Sequence, residues 1–571
     1  MKIFTYRTPA NTEGFELLEG PWEKTGQARE SGGHGNPVRP EAEGFKKPLS
    51  ADEWNTRKNE SRSGKSAGDG VSISVSENLD RLRKEFKTPA NEDLYIREFK
   101  INERTNAAVV YIAGMADKNV INDFILRPVM MSDRLAAMEE ECAVNFIYNY
   151  VLTVNLIRKT DDLVNTVITD MLNGFAALFV DGCTECLLID CKGYEKRSVD
   201  KPSTETDIRG AQEGFTENLR TNITLIRRIV RNKNLITENI SVRSTNNLTC
   251  VLMFVDGIAN PRLIDEVRRR IKSVNADIIS SDGMLEQLIE DNPFTIFPQV
   301  LSTERPDRAA SFLLEGQAVV VTEGSPFAFA VPVTLFHLYH TSEDANLRWQ
   351  FATAFRFIRI LGILSSALLP GLYLALTLFH REMIPTELLV SIARAKESIP
   401  FPSLIEVLVM EISFEVIREA GIRVPGVIGP TLGIIGALIL GQAAVAANLV
   451  SPVLIIIVAV TGLGNFAIPN YSFATSIRVL RFLFVFVGCT AGFYGIAAAM
   501  AIILANMCHL KSFGVPFLSP VAPRTGRSSD LNVRQPIWMQ KQRADYFNVT
   551  DRRRQPDDAR GWTKRTGGRK K

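Results

Sequence analysis

The pattern of apolar and polar positions changes several times along the chain. Residues 1–75 run through Gly, Pro, Ser, Asn and charges, as in "ESGGHGNPVRPEAEGFKKP". So few large apolar residues cannot offset the entropy of ordering, and a disordered polar head is expected. From about 76 to 300, short apolar runs alternate with amphipathic stretches, the pattern of an α/β region. The strand candidates are "AAVVYIA" (107–113), "AALFVD" (176–181), "ECLLID" (185–190) and "TCVLMFV" (249–255). "SENLDRLRKEF" predicts a helix capped by Ser76, and "NPRLIDEVRRRIKSV" places Asn and Pro where helices begin. The polar break "KRSVDKPSTETDIRG" predicts a border between two lobes, at 76–200 and 201–300.

After residue 300 the apolar runs lengthen. Residues 318–340 are apolar but interrupted by Glu323, Gly324 and two prolines, which fits a strand pair, a re-entrant piece or an interfacial segment. Ile360–Phe379 holds 20 uncharged residues, Val424–Ile477 holds 54 and Phe482–Cys508 holds 27. About 20 apolar residues cross ~30 Å of hydrocarbon. Four crossings follow, the middle two folded near "ANLVSPV", and both termini then share one side. A cytosolic N-terminus puts the basic tail inside, yet leaves Arg381, Arg394, Lys396, Arg418 and Arg423 outside. The expected architecture is an α/β region of two lobes, an α-helical polytopic membrane domain over 301–510 with about four to six spans or re-entrant segments, and a basic tail over 511–571.

Charge changes this picture only at the C-terminus. The chain carries a net charge of +3, but residues 524–571 hold fourteen Lys and Arg against five Asp. Such a tail is either held at an anionic lipid surface or solvated in the cytosol. The first residues lack the apolar core and cleavage site of a secretory signal, and the seven Cys, an odd number, are expected as reduced thiols.

Candidate chemistry is sparse. In "FPSLIEVLVMEISFEVIREAGIRVP", Glu411, Glu415 and Glu419 share one helical face with Glu406 near its edge. Such a stripe either lines a cation path, if several copies face a common axis, or lies in water along an interfacial helix. Prolines and glycines punctuate the apolar runs at 370–371, 429–430, 462, 464 and 469. They fit a gate or close helix packing by small residues. "CTECLLIDC" spaces Cys183, Cys186 and Cys191 somewhat like metal ligands, but Cys186 and Cys191 fall on opposite faces of a strand. No Ser/His/Asp grouping, phosphate loop or two-His metal spacing is present, so neither an enzyme nor a cofactor or metal site is expected. The tail aromatics Trp538, Tyr546 and Trp562 stand outside any nucleic-acid reader module, and no nucleic-acid partner is expected.

Four long motifs carry a resemblance. They are "TETDIRGAQEGFTENLRTNITLIRRI" (204–229), "NPFTIFPQVLSTERPDRAASFLLEG" (292–316), the stretch from "FHREMIPTELL" to "RVPGVIG", and "GQAAVAANLVSPVLIIIVAVTGLGNFAIPNY". From about 78 to 520 the sequence resembles the A subunits of the GerA-type spore germinant receptors. It departs from them at Ala211 and Gln212, where Pro and a basic residue are usual. The resemblance implies a multi-pass protein of the spore inner membrane with its N-terminal region in the cytosol. It also implies a transporter-like B subunit and a lipoprotein C subunit as partners, and oligomerisation into a nutrient-gated cation channel. On these motifs Glu406, Glu411, Glu415 and Glu419 are ion-path or gating candidates. Arg209, Gly210, Glu213, Gly214, Phe215, Pro400, Pro402, Arg418 and Pro425 are coupling candidates. Two other readings stay open: a scaffold whose partner conducts, and a membrane-bound enzyme or nucleotide-binding protein.

Overall fold

The computed structural model describes residues 46–48 and 70–565, apart from 102–104, 132–142, 155, 194–200, 203, 424–440, 526–529, 557–558 and 561–562. The first lobe holds a five-stranded sheet made of β1 (Leu94–Ile101), β2 (Thr105–Ile112), β3 (Ile157–Thr160), β4 (Phe175–Val180) and β5 (Cys186–Asp190), in the order β1-β2-β4-β5-β3. Every pairing is antiparallel. One face is covered by helix α1 (Val75–Glu85) and the helical segment 163–171, the other by the helical segments 118–130 and 143–151. Burial on both faces is why the central strands read as unbroken apolar runs rather than as alternation. Helix α1 begins at Val75 with Ser74 rather than Ser76 at its N-cap position, two residues ahead of the expected start. Val71 and Val75 are buried, so ordered structure starts inside the expected head.

The second lobe repeats the plan with a second five-stranded antiparallel sheet. Its strands are β6 (Leu235–Ser241), β7 (Thr249–Val255), β8 (Leu301–Thr303), β9 (Ala318–Thr322) and β10 (Ala328–Val331), in the order β8-β10-β9-β7-β6. Three of the five come from residues beyond 300, so the sheet crosses the expected lobe border. The interrupted segment 318–340 is a strand pair: Glu323 and Gly324 form its turn, and Val319, Val320 and Val321 lie fully buried between β10 and β7. Helices α2 (Leu219–Ile229) and α5 (Pro306–Glu315) pack on one face, α3 (Pro261–Ser273) and α4 (Asp282–Ile289) on the other. Asn260 caps α3 by accepting the Arg262 N–H at 3.0 Å, with Pro261 in the first turn.

A buried clamp joins the lobes. Arg227 of α2, 1% exposed, donates from Nε and Nη2 to Asp93 Oδ2 at 3.0 and 2.6 Å, and from Nη2 to the Leu235 carbonyl at 3.2 Å.

Among the described residues the C-terminal bundle includes α6 (Trp349–Leu378), α7 (Thr386–Glu397), α8 (Ser403–Arg423), α9 (Pro452–Phe466) and α10 (Tyr471–His509), and residues 441–446 are helical as well. Of the described helices, α6 (30 residues) and α10 (39 residues, kinked at Gly492, whose φ is 61°) are long and apolar enough to cross a membrane. At 15 residues α9 reaches only about 22 Å, less than ~30 Å of hydrocarbon. The expected hairpin does break at 447–451, but most of its first arm lies outside the described residues. The last apolar helix starts at Tyr471 rather than near 482, because Arg478 and Arg481 are paired inside the protein and do not end it. Small residues let α6 and α10 touch backbone to backbone. A Cβ on Gly371 would lie 2.5 Å from the Phe484 carbonyl oxygen, and one on Gly488 would lie 2.5 Å from that of Gly371.

The described part of the basic tail is packed rather than free. Phe513, Val515, Tyr546, Phe547 and Val549 complete the α3/α4 face of the second sheet. Asn260 Nδ2 donates to the Asn548 carbonyl at 3.0 Å, and Arg543 Nε to the Leu314 carbonyl at 2.7 Å. Apolar residues spaced among the charges anchor a tail that net charge alone leaves either at a lipid surface or solvated.

Candidate functional site

Helix α8 presents Glu411 and Glu415 to α10. Glu411 is fully buried; its Oε2 lies 3.0 Å from Nη1 of Arg481, which is 1% exposed. Arg481 Nη2 donates to Glu415 Oε1 at 2.7 Å, while Glu415 Oε2 accepts from Arg418 Nε at 2.9 Å and lies 3.4 Å from Arg478 Nη1. Two carboxylates thus face three guanidinium groups, two of them contributed by α10, an excess of one positive charge. Each carboxylate has a cation, but the hydrogen bonding is incomplete: neither Glu411 oxygen has an aligned donor, and Nε of Arg478 and of Arg481 is unpartnered. Glu406, also buried, accepts the Ser451 N–H at the start of α9. Glu419 sits toward solvent and pairs with Arg423 at 2.8 Å. The four acids therefore form no bare row within one chain.

Periodicity along α8 identifies the acidic face and cannot identify its partners. The available signal was the pair Arg478 and Arg481, three apart inside an otherwise apolar helix; reading them as the edge of a span hid it.

The motif around 205–215 wraps the start of α5. Arg305, 1% exposed, donates from Nη2 to the Ala211 carbonyl at 3.0 Å and lies 3.0 Å from Asp207, and its Nη1 donates to the Glu205 carbonyl at 3.1 Å. Gly210 is exposed, and a Cβ there would meet the side-chain Nδ2 of Asn346 at 2.9 Å. Arg209 is exposed, Glu213 pairs with Arg228 at 3.2 Å, and Phe215 enters the second-lobe core while its N–H donates to the Glu304 carbonyl. Gly214 is buried beside it. Pro400 and Pro402 form the exposed turn between α7 and α8, where the Pro402 carbonyl accepts the Glu406 N–H at 3.1 Å. Pro425, like Gly429 and Pro430, lies outside the described residues. The structure thus brings Glu411, Glu415 and Arg418 into one network and leaves the 205–215 motif in a different place, against α5 and Asn346.

The cysteines divide. Cys186 and Cys191 enter the cores on opposite faces of the first sheet, and burial pushes both thiols up to about 12. Cys183 is disulfide-bonded, which corrects the expectation that every thiol is reduced. No group of three or more His, Cys, Asp and Glu among the described residues has the arrangement of a metal site.

Two antiparallel α/β lobes, fixed to each other and to a bundle containing two membrane-capable helices with a sealed ion network, define a protein built to carry folded lobes on a membrane-associated helical domain. Comparison with known proteins gives the family. The family described as "Bacillus/Clostridium GerA spore germination protein" matches residues 80–546. Spore germination protein KA of Bacillus subtilis (strain 168) is 38% identical over 493 residues, covering 86% of this chain and 90% of that protein. The uncharacterized membrane protein YfkQ of the same organism is 37% identical over 481 residues, 84% of this chain and 92% of that one. Among solved structures, the N-terminal domain of the A subunit of the Bacillus megaterium spore germinant receptor GerK3 is 30% identical, with a TM-score of 0.37, covering 46% of this chain and 96% of that one. The chain belongs to the GerA spore germination family.

Proposed function

We propose that the chain is the A subunit of a spore germinant receptor, acting in the spore inner membrane with its lobes in the cytosol and with transporter-like B and lipoprotein C subunits. The observation that carries this reading is the family match, which runs through both lobes and the helical bundle rather than one of them. Nutrient arrival is transmitted to α6 and α10, copies of the chain assemble around an axis, and monovalent cations leave through the assembly. Within one chain Glu411 and Glu415 of α8 are held by the arginines of α10. In this reading the network is a latch, and Glu411 and Glu415 meet a cation path only when α8 and α10 part. Rings of carboxylates freed in this way attract cations.

The neutralised acids also favour a second reading, in which this chain is the scaffold and a partner conducts. One experiment separates them: nutrient-triggered cation release from spores carrying Glu411→Gln and Glu415→Gln, at matched protein level in the membrane. Altered release supports the latch and path. Release kinetics identical to the unmodified chain remove α8 from conduction and leave the scaffold.

A further inference from the structure

A cavity of about 190 Å³ lies where the second lobe, the start of α6 and the C-terminal tail meet. At the ~10–15 Å³ that one water requires, this admits on the order of a dozen waters, or one small organic solute. Four guanidinium groups line it, those of Arg308, Arg356, Arg534 and Arg554. Three of the four are balanced. Arg308 pairs with Glu205, and Arg554 with Glu315 at 2.6 Å. Arg356 and the neighbouring Arg359 share Asp344, and Arg356 also pairs with Asp530.

Arg534 is the one left over. It is 4% exposed, and no carboxylate lies within ion-pair distance of it among the described residues. Its Nη1 and Nη2 donate to the Leu347 and Ala345 carbonyls at 3.3 and 3.1 Å, which satisfies hydrogen bonds but supplies no net charge. The two histidines on the wall do not alter the tally. Burial pulls His337 down to about 4 and His340 well below its ordinary value, so both are neutral near pH 7. Asp530 and Asp344 act on Arg534 only from beyond ion-pair distance, against the opposing charges of Arg356 and Arg554, and a buried cation without a directly paired counter-charge is costly. Part of the wall is apolar, formed by Phe312, Phe547 and Ala544.

We infer that this cavity is a binding site for a small organic monocarboxylate, its oxyanion taken by Arg534 and its body resting against Phe312 and Phe547. The walls come from α5, the 337–345 segment, α6 and the 530–554 tail. An occupant therefore ties the lobe, the first membrane-capable helix and the tail together.

The test uses the purified full chain in detergent at fixed ionic strength, with sodium propionate and inorganic phosphate as separate probes. Propionate is expected to raise the unfolding midpoint saturably, following ligand linkage. Arg534→Gln, which keeps an amide donor for the carbonyls, is expected to abolish that response, while Lys272→Gln on the far surface of α3 preserves it. Equilibrium dialysis of radiolabelled propionate against the unmodified chain should give one site per chain, a readout that survives if Arg534→Gln does not fold. No saturable propionate effect, an undiminished response in a folded Arg534→Gln chain, or a response to phosphate alone would each overturn the assignment.

Discussion

The most searching perturbation of the bundle is removal of the Arg481 charge. In Arg481→Met the apolar stem keeps its volume, and fully buried Glu411 loses the only cation within ion-pair distance of it among the described residues. Glu415 keeps Arg418 and Arg478. Removing one partner of a buried ion pair costs about 3–5 kcal/mol, because the remaining charge stays desolvated and uncompensated. Glu411→Gln should cost less, about 1–3 kcal/mol, since Arg481 still holds Glu415 at 2.7 Å. The double variant carries no stranded charge at Glu411, so it should be more stable than Arg481→Met alone. That rank order needs no absolute free energy, which suits a protein whose unfolding in detergent is read as a midpoint at one scan rate. The assay is thermal unfolding of the four purified chains in the same micelle. If the effects simply add, leaving the double variant below Arg481→Met, or if Arg481→Met unfolds with the unmodified chain, then Glu411 and Arg481 are not energetically coupled and the latch fails.

Three further expectations follow from the packing. Asp93→Ala strands buried Arg227 at the lobe junction and should cost about 3–5 kcal/mol, seen as faster proteolysis between the lobes with each lobe still folded. Gly371→Ala drives a methyl against the Phe484 carbonyl and should destabilise the α6/α10 crossing by about 1–3 kcal/mol, read as a lower unfolding midpoint, whereas Leu361→Ala on an exposed face of α6 should not. The His337 ring sits among Phe312, Tyr546, Phe547 and Arg308 and is neutral in the fold, so its folded pKa lies below its unfolded one. Stability is then full above pH 6.5 and is lost as the pH falls from 6.5 towards 4, by up to about 3 kcal/mol for this group at 1.36 kcal/mol per unit. His340 adds to the same slope, and His337→Gln should reduce it by about one proton in pH-dependent unfolding.

Local order was legible in the sequence because it depends on neighbours in the chain. The runs at 107–113, 176–181, 185–190 and 249–255 are all strands, and Asn260 and Pro261 open α3 as their types dictate. The 20 uncharged residues of 360–379 fall within α6 and its C-cap residue, because length and apolarity are properties of a segment alone. β1, β3 and β6 are less legible, since their polar edge positions weaken the alternation that marks a strand.

What the tertiary structure decided is whatever depends on a partner far along the chain. The same apolar composition that left 318–340 ambiguous becomes a strand pair because β7 offers a matching edge. An acidic face visible by periodicity becomes a sealed network because Arg478 and Arg481, more than sixty residues on, cross it. A tail marked as basic by its charge count is held down by Tyr546, Phe547 and Val549 on the second sheet. Propensity and periodicity act over one or two turns; charge compensation and burial are settled only when distant elements meet.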